Sequence, residues 1–132
     1  MVFAKDYVGH WGIYPAMVAF GNGLVHPDDL DKVRKLTPGL RVFYCHSSQG
    51  NFLTLQYGNE TYRVKPDNFT IVPSPSHSFG DTVKIMRSSG KTQDAIVEHI
   101  IWHSKKNTHY YLMAVEGKLL SRWFFEEDCQ PL

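Results

Sequence analysis

Several short stretches of this chain bring together residue types that can do chemistry. Glu98-His99-Ile100-Ile101-Trp102-His103 places two histidines four residues apart. On a helix they would share one face and could hold one metal ion. On a strand, at about 3.3 Å per residue, they stand about 13 Å apart and cannot chelate the same ion. The β-branched content of the segment favours a strand. Cys45-His46 pairs a nucleophile with a base, but neighbours on a strand point to opposite faces and do not share a proton. Ser89-Gly90-Lys91-Thr92 ends like a phosphate-binding loop, yet Ile85 stands where that loop needs its first glycine. His26-Pro27-Asp28-Asp29 joins a histidine to two carboxylates, and helix initiation accounts for the same residues. No coherent set of nucleophile, base and oxyanion donor emerges, so no enzymatic activity, catalytic residue, metal or cofactor is expected.

The segment Trp102-His103-Ser104-Lys105-Lys106-Asn107-Thr108-His109-Tyr110-Tyr111 is different in kind. It sets a basic loop between aromatic residues, with Trp123 on the next hairpin. Aromatic faces stack on bases or hold cations, and lysines pair with phosphates or carboxylates. Trp102, Lys105, Tyr110 and Trp123 are therefore the expected binding surface, the competing reading being core aromatics beside a solvated turn.

Composition narrows what such a surface can bind. The 132 residues are 42% apolar and 20% charged, with 18 aromatics, too rich in large apolar groups for disorder. No apolar run is long enough to span a membrane. Fourteen Lys and Arg against thirteen Asp and Glu leave a formal charge of +1, and Glu116, Glu126, Glu127 and Asp128 offset the Lys105-Lys106 loop. A long phosphate track needs several well-placed cations, so a protein partner is expected first and a nucleic acid second. The opening residues lack a charged-then-apolar order and two cysteines make no disulfide framework, so a cytoplasmic chain with no membrane partner is expected.

The elements that must position these residues are mostly strands. Leu40–Cys45, Asn51–Tyr57, Glu60–Val64, Thr82–Met86, Ala95–Trp102, Thr108–Val115 and Lys118–Trp123 carry short, largely alternating apolar patterns. Gly58-Asn59 and Glu116-Gly117 read as two-residue turns supplying positive φ, and Pro66–Phe69 and Phe125–Asp128 as short 3₁₀ turns. One helix is predicted near 27–36, with proline at its first position and acids before bases. Leu30, Val33 and Leu36 form its apolar stripe, placing it as a cover on a sheet. Pro73-Ser74-Pro75-Ser76-His77-Ser78 is the only linker-like stretch.

The pattern repeats. An offset of 59 residues lays Gly58 on Gly117, Arg63 on Arg122, Val64 on Trp123, Leu53 on Leu112 and Asp67 on Glu126. The opening strands, Leu40–Tyr44 and Asp81–Ile85, align instead at an offset of 41. The first unit then lacks a counterpart to Ala95–Trp102, and His10–Phe20 is the segment expected to donate the missing strand.

Phe79-Gly80-Asp81-Thr82-Val83-Lys84-Ile85, a Gly-Lys loop, a long β-branched strand and the close Gly117-Lys118 to Arg122-Trp123-Phe124-Phe125-Glu126-Glu127-Asp128 together resemble an SH3-like small barrel of the KOW or Tudor kind. Val64-Lys65-Pro66-Asp67-Asn68-Phe69 is similar to its close in the first unit, and Leu24–Leu30 resembles uncharacterised bacterial proteins of this build. The resemblance implies a mainly β chain of two SH3-like barrels, over 1–73 and 79–132, with one short covering helix. It also implies a ligand surface made by loops. A non-catalytic interaction module for a protein partner is the expected function, with a KOW-type nucleic-acid-binding module as the alternative.

Overall fold

The computed structural model describes residues 4–14, 24–34 and 41–131. The chain divides into two compact units, Met1–Ser74 and Pro75–Leu132, with the division inside the proline–serine stretch. Each unit is built on a five-stranded antiparallel sheet, and the described residues hold one short α-helix.

In the first unit the strands are β1 (Trp11–Ile13), β2 (Val42–Gln49), β3 (Phe52–Tyr57), β4 (Glu60–Val64) and β5 (Thr70–Val72), ordered β4-β3-β2-β1-β5. The N-terminal donor is real: β1 lies between β2 and β5, with Trp11 opposite Tyr44 and Val72. The rest of the expected donor, and Leu40 of the expected second strand, fall outside the described residues. Alternation on β3 buries Leu53, Leu55 and Tyr57 beside Val42, Phe43, Cys45 and Val64. A 3₁₀ turn (Pro27–Asp29) leads into helix α1 (Leu30–Arg34), and the His26 Nδ1 accepts from the Asp28 amide at 3.1 Å, as a cap should. Val33 is buried and Leu30 half-buried; Leu36 is outside the described residues.

The second unit contains β6 (Thr82–Met86), β7 (Thr92–His103), β8 (Thr108–Val115), β9 (Lys118–Phe125) and β10 (Cys129–Pro131), ordered β10-β6-β7-β8-β9. Its core is Val83, Ile85, Ala95, Val97, Ile100, Tyr111, Met113 and Phe124. Taken in chain order within each unit, both sheets run fifth, first, second, third, fourth, and each has a 3₁₀ turn, Pro66–Asn68 or Glu126–Asp128, before the fifth strand. Strand β10 escaped the sequence reading, because Cys129-Gln130-Pro131 is too short to show a period.

The repeat is therefore present in the fold, but two of the expected alignments need correction. The counterpart of β6 is β1, and β7 matches β2, not a strand missing from the first unit. Hydrogen bonds fix this. Cys45 donates its amide to the His10 carbonyl and accepts from Gly9, while Val97 donates to Asp81 and accepts from Gly80. With Val97 standing for Cys45, the bulges coincide, since Cys45/Ser47 oppose Leu55/Thr54 as Val97/His99 oppose Met113/Leu112. Leu53 then falls on Tyr111 and not on Leu112, Val64 on Phe124, Arg63 on Trp123, Gly58 on Glu116 and Pro66 on Glu126. The offset of 59 was one residue out at each of these places. A single-residue slip exchanges the two faces of a strand, and burial shows which register is right. Leu53 and Tyr111 are both fully buried.

The sister positions also explain a glycine. A Cβ on Gly12 would run into the Phe69 ring and come within 2.6 Å of the Thr70 carbonyl oxygen. In the second unit Val83 takes the place of Gly12 and Cys129 that of Phe69, so a large-small pair is exchanged for a small-large one.

Candidate functional site

The β7–β8 hairpin is where the second unit is lengthened relative to the first. In the first unit Gln49 pairs with Phe52 across the two-residue turn Gly50-Asn51. The equivalent pair, Ile101 and Tyr110, instead encloses Trp102 to His109: two further pairs, Trp102–His109 and His103–Thr108, and the turn Ser104–Asn107. Asn107 takes φ 50°, a left-handed value asparagine tolerates, and the His103 Nδ1 accepts the Lys106 amide at 3.2 Å, which sets the turn.

Register sorts the side chains of this extension onto two faces. On the outer one, Tyr110 lies opposite Ile101 and Phe125, and Leu112 opposite Trp123. There the ring centroids of Tyr110 and Trp123 are 4.8 Å apart, Tyr110 and Phe125 5.7 Å, His103 and Tyr110 5.4 Å, and His103 and Phe125 5.5 Å. The four rings are half-buried, and the Lys106 Nζ stands 4.4 Å from the Phe125 centroid. Such a contact is worth about 0.5–1 kcal/mol at an exposed site. Further along the same face Ile96 and Leu119 are exposed on either side of Ala114.

Of the four residues expected to form the surface, the structure brings Tyr110 and Trp123 together. Lys105 is exposed in the turn, with no carboxylate in ion-pair reach among the described residues. Trp102 lies on the opposite face, edge-on to His109 at 5.0 Å, and His109 is 2% exposed. His103, Lys106 and Phe125 complete the outer cluster. Phe125 was missed because its acidic neighbours marked it as part of a turn, although Trp123 and Phe125 two apart on one strand must share a face.

Beneath the extension, the Glu126 Oε1 accepts the Tyr111 hydroxyl at 2.7 Å and the Ser76 amide at 3.0 Å. Burial pushes the Glu126 carboxyl upward, but these donors outweigh it and hold the group below its ordinary value. Tyr111 is raised, by burial first and then by that bond to Glu126. In the first unit the strongest polar feature is Asp29, 4% exposed. Its Oδ2 accepts the Arg63 amide at 2.9 Å and Nε at 2.8 Å, and its Oδ1 accepts Nη2 at 3.1 Å. The side-chain bonds to Arg63 hold the Asp29 carboxyl below its usual range against the opposing effect of burial. It fastens the 3₁₀ turn to β4.

The remaining sequence features are placed as follows. Cys45 is fully buried and burial pushes its thiol up to about 11, while His46 is exposed. Cys129 is raised to about 12, by burial first and then by Asp128 and Glu126. The Ser89–Thr92 stretch is a tight turn whose backbone is spent internally, Gly90 donating to Arg87 and Arg87 to Lys91. His99 and His103 lie on one strand, and no cluster of three or more potential ligands able to hold a metal occurs among the described residues. No helix among them is long and apolar enough to cross a membrane.

Fold and site together define a tandem of five-stranded β modules, one carrying a lengthened aromatic hairpin. The chain belongs to a Family of unknown function (DUF6960), whose pattern it matches over residues 3–130. No curated protein and no solved structure matches it.

Proposed function

We propose that this chain is a non-catalytic binding module of two SH3-like barrels, and that the outer face of the β7–β8–β9 sheet recognises a protein partner inside the bacterial cytoplasm. One observation carries the reading. The hairpin that lengthens the second unit ends in a half-buried cluster of His103, Tyr110, Trp123 and Phe125, roofed by Lys106. Half-exposed aromatic rings gathered in one patch are what interface centres are enriched in, with charged groups such as Lys106 at the rim. Burial of both thiols and the internal hydrogen bonds of the Ser89–Thr92 turn support the non-catalytic reading.

The second reading is a KOW-type nucleic-acid module, favoured by the exposed Lys105 and Lys106 beside stacking rings. Salt separates the two. Capture of partners from nuclease-treated and untreated lysates, followed by titration of each in rising salt, should show a protein held through the aromatics and released only gradually. Steep loss with salt, and loss on nuclease treatment, would make the partner a nucleic acid. Tyr110→Ala with Lys106→Glu should abolish capture in either case; unchanged capture places the binding surface elsewhere.

A further inference from the structure

The two units treat equivalent sheet edges differently. In the first unit the outer edge of β4 is occupied by the chain itself. Val25 bridges to Val64, His26 donates its amide to the Arg63 carbonyl at 2.9 Å, and Lys65 donates to the Leu24 carbonyl at 2.7 Å. The Arg63 amide is satisfied too, by Asp29. In the second unit β9 is the corresponding edge, and among the described residues nothing pairs with its outer side.

Hydrogen-bond parity identifies the groups left facing outward. Val97 spends both backbone groups on Gly80 and Asp81, so Ile96 and Ala114 are the bonded pair between β7 and β8. Met113 and Tyr111 therefore turn toward β9, Tyr111 bonds Phe124, and the Trp123 amide and carbonyl point away from the sheet. The Phe125 amide, the counterpart of Lys65, is already engaged by Asp128 Oδ2 at 3.3 Å. Beside the aromatic cluster, what remains is the donor–acceptor pair at Trp123; the next outward pair, at Leu119, lies beyond the bulge. The register of β9 shifts between the partners of Leu112 and Ala114, at a bulge just before Trp123, which limits any added strand to a few residues.

From this we infer that β9 accepts a short antiparallel strand from the partner, in the place that Leu24–His26 fills in the sister unit. The inference rests on the outer face being the binding surface. The residue opposite Trp123 takes both of its backbone groups and lays its own side chain against the indole, which calls for an apolar residue there. The residue two earlier in the partner falls beside Phe125, within reach of the Lys106 ammonium, which calls for a carboxylate. The recognised segment is thus an acidic residue, any residue, then an apolar one, in extended conformation.

Random peptides displayed on phage and selected against the full chain test this. Enriched peptides should share the acidic-x-apolar spacing and slow exchange of the Trp123 amide about tenfold or more. N-methylation of the apolar residue should weaken binding by a similar factor, whereas N-methylation of its neighbour should not. Enriched peptides that depend on Tyr110 but leave the Trp123 amide unprotected and tolerate every N-methyl group would overturn strand addition while leaving the binding face intact. Pairing of two copies of this chain through β9 would overturn the inferred occupant. Enrichment of no peptide, with or without oligonucleotide binding, would bring down both the strand and the protein-binding face.

Discussion

The first unit spends the backbone groups of Arg63 at its sheet edge on its own chain, whereas the second leaves those of Trp123 facing out. At the position where Arg63 is clamped by Asp29 and its carbonyl is capped by His26, the second unit has Trp123, half-buried among aromatics with its backbone pointing outward. The hairpin that is two residues long at Gly50-Asn51 becomes a projecting arm at Ser104–Asn107. One topology thus serves two ends. In one unit an added segment and a buried ion pair close the edge; in the other both are missing and aromatics gather beside the open strand.

The sharpest way to break this comparison is to remove the strand that makes the first unit equivalent to the second. Strand β1 sits between β2 and β5, so a chain lacking residues 1–20 loses both ladders at once. Hydrogen exchange should show amides of β2 to β5 unprotected while those of β7 and β8 stay protected. Full protection across 42–72 would deny β1 its place in the repeat.

Next in size is the exchanged pair at the first strand. Gly12→Val drives a branched side chain into the Phe69 ring and should cost the first unit about 3 kcal/mol, the upper end for overpacking. If the units are true structural sisters, adding Phe69→Cys, which recreates the Val83–Cys129 pairing, should restore part of the loss. Denaturant melts of the four variants give the coupling. Additive losses would mean that the two positions do not share one cavity.

These positions show what could and could not be read from residues alone. Alternation in Leu53-Thr54-Leu55-Gln56-Tyr57 and the glycine turns located most strands, because half-buried strands write their period into the chain. Proline and acids likewise announced the turn into α1. Alignment of the repeats slipped by one residue because glycine was used as the anchor. The turn glycine is first of its pair in Gly58-Asn59, φ 61°, and second in Glu116-Gly117, φ 79°, and Asn59 does not share the positive φ. Strand β1 is only three residues long, so no period marks it, and its partners are distant in sequence. The site was half legible. Composition located the cluster at 102–111, but the face on which each side chain lies depends on the bulge near Glu98, which no pattern reveals.

The Asp29 clamp should matter less than the core and should do so with pH. Asp29→Ala removes the bonds to Arg63 and should cost about 2 kcal/mol, since the freed guanidinium, 39% exposed, turns to water. The Asp29 carboxyl titrates lower in the folded state than in the unfolded one, where a value near 4 is ordinary. Its stabilisation is therefore complete above that range and fades as pH falls through it toward the folded value. The gap in stability between natural chain and variant should be constant at neutral pH and narrow in acid. A gap that held steady into strong acid would show that the loss comes from packing and not from the ion pair.

The smallest effect expected is a gain. Glu116 holds φ 50° in the β8–β9 turn, a left-handed conformation that costs a residue with a side chain about 1 kcal/mol. Its structural counterpart is Gly58, at φ 61°, so the first unit has already made the substitution that relieves the strain. Glu116→Gly should stabilise the second unit by about 0.5 kcal/mol, because glycine also gains entropy in the unfolded chain and gives back part of the relief. Thermal and denaturant melts of the full chain would detect this as a small upward shift confined to the second unit. A loss of stability would show that the Glu116 side chain contributes to the turn, and would add to the difference already set by Asn59, which lacks the positive φ of Gly117.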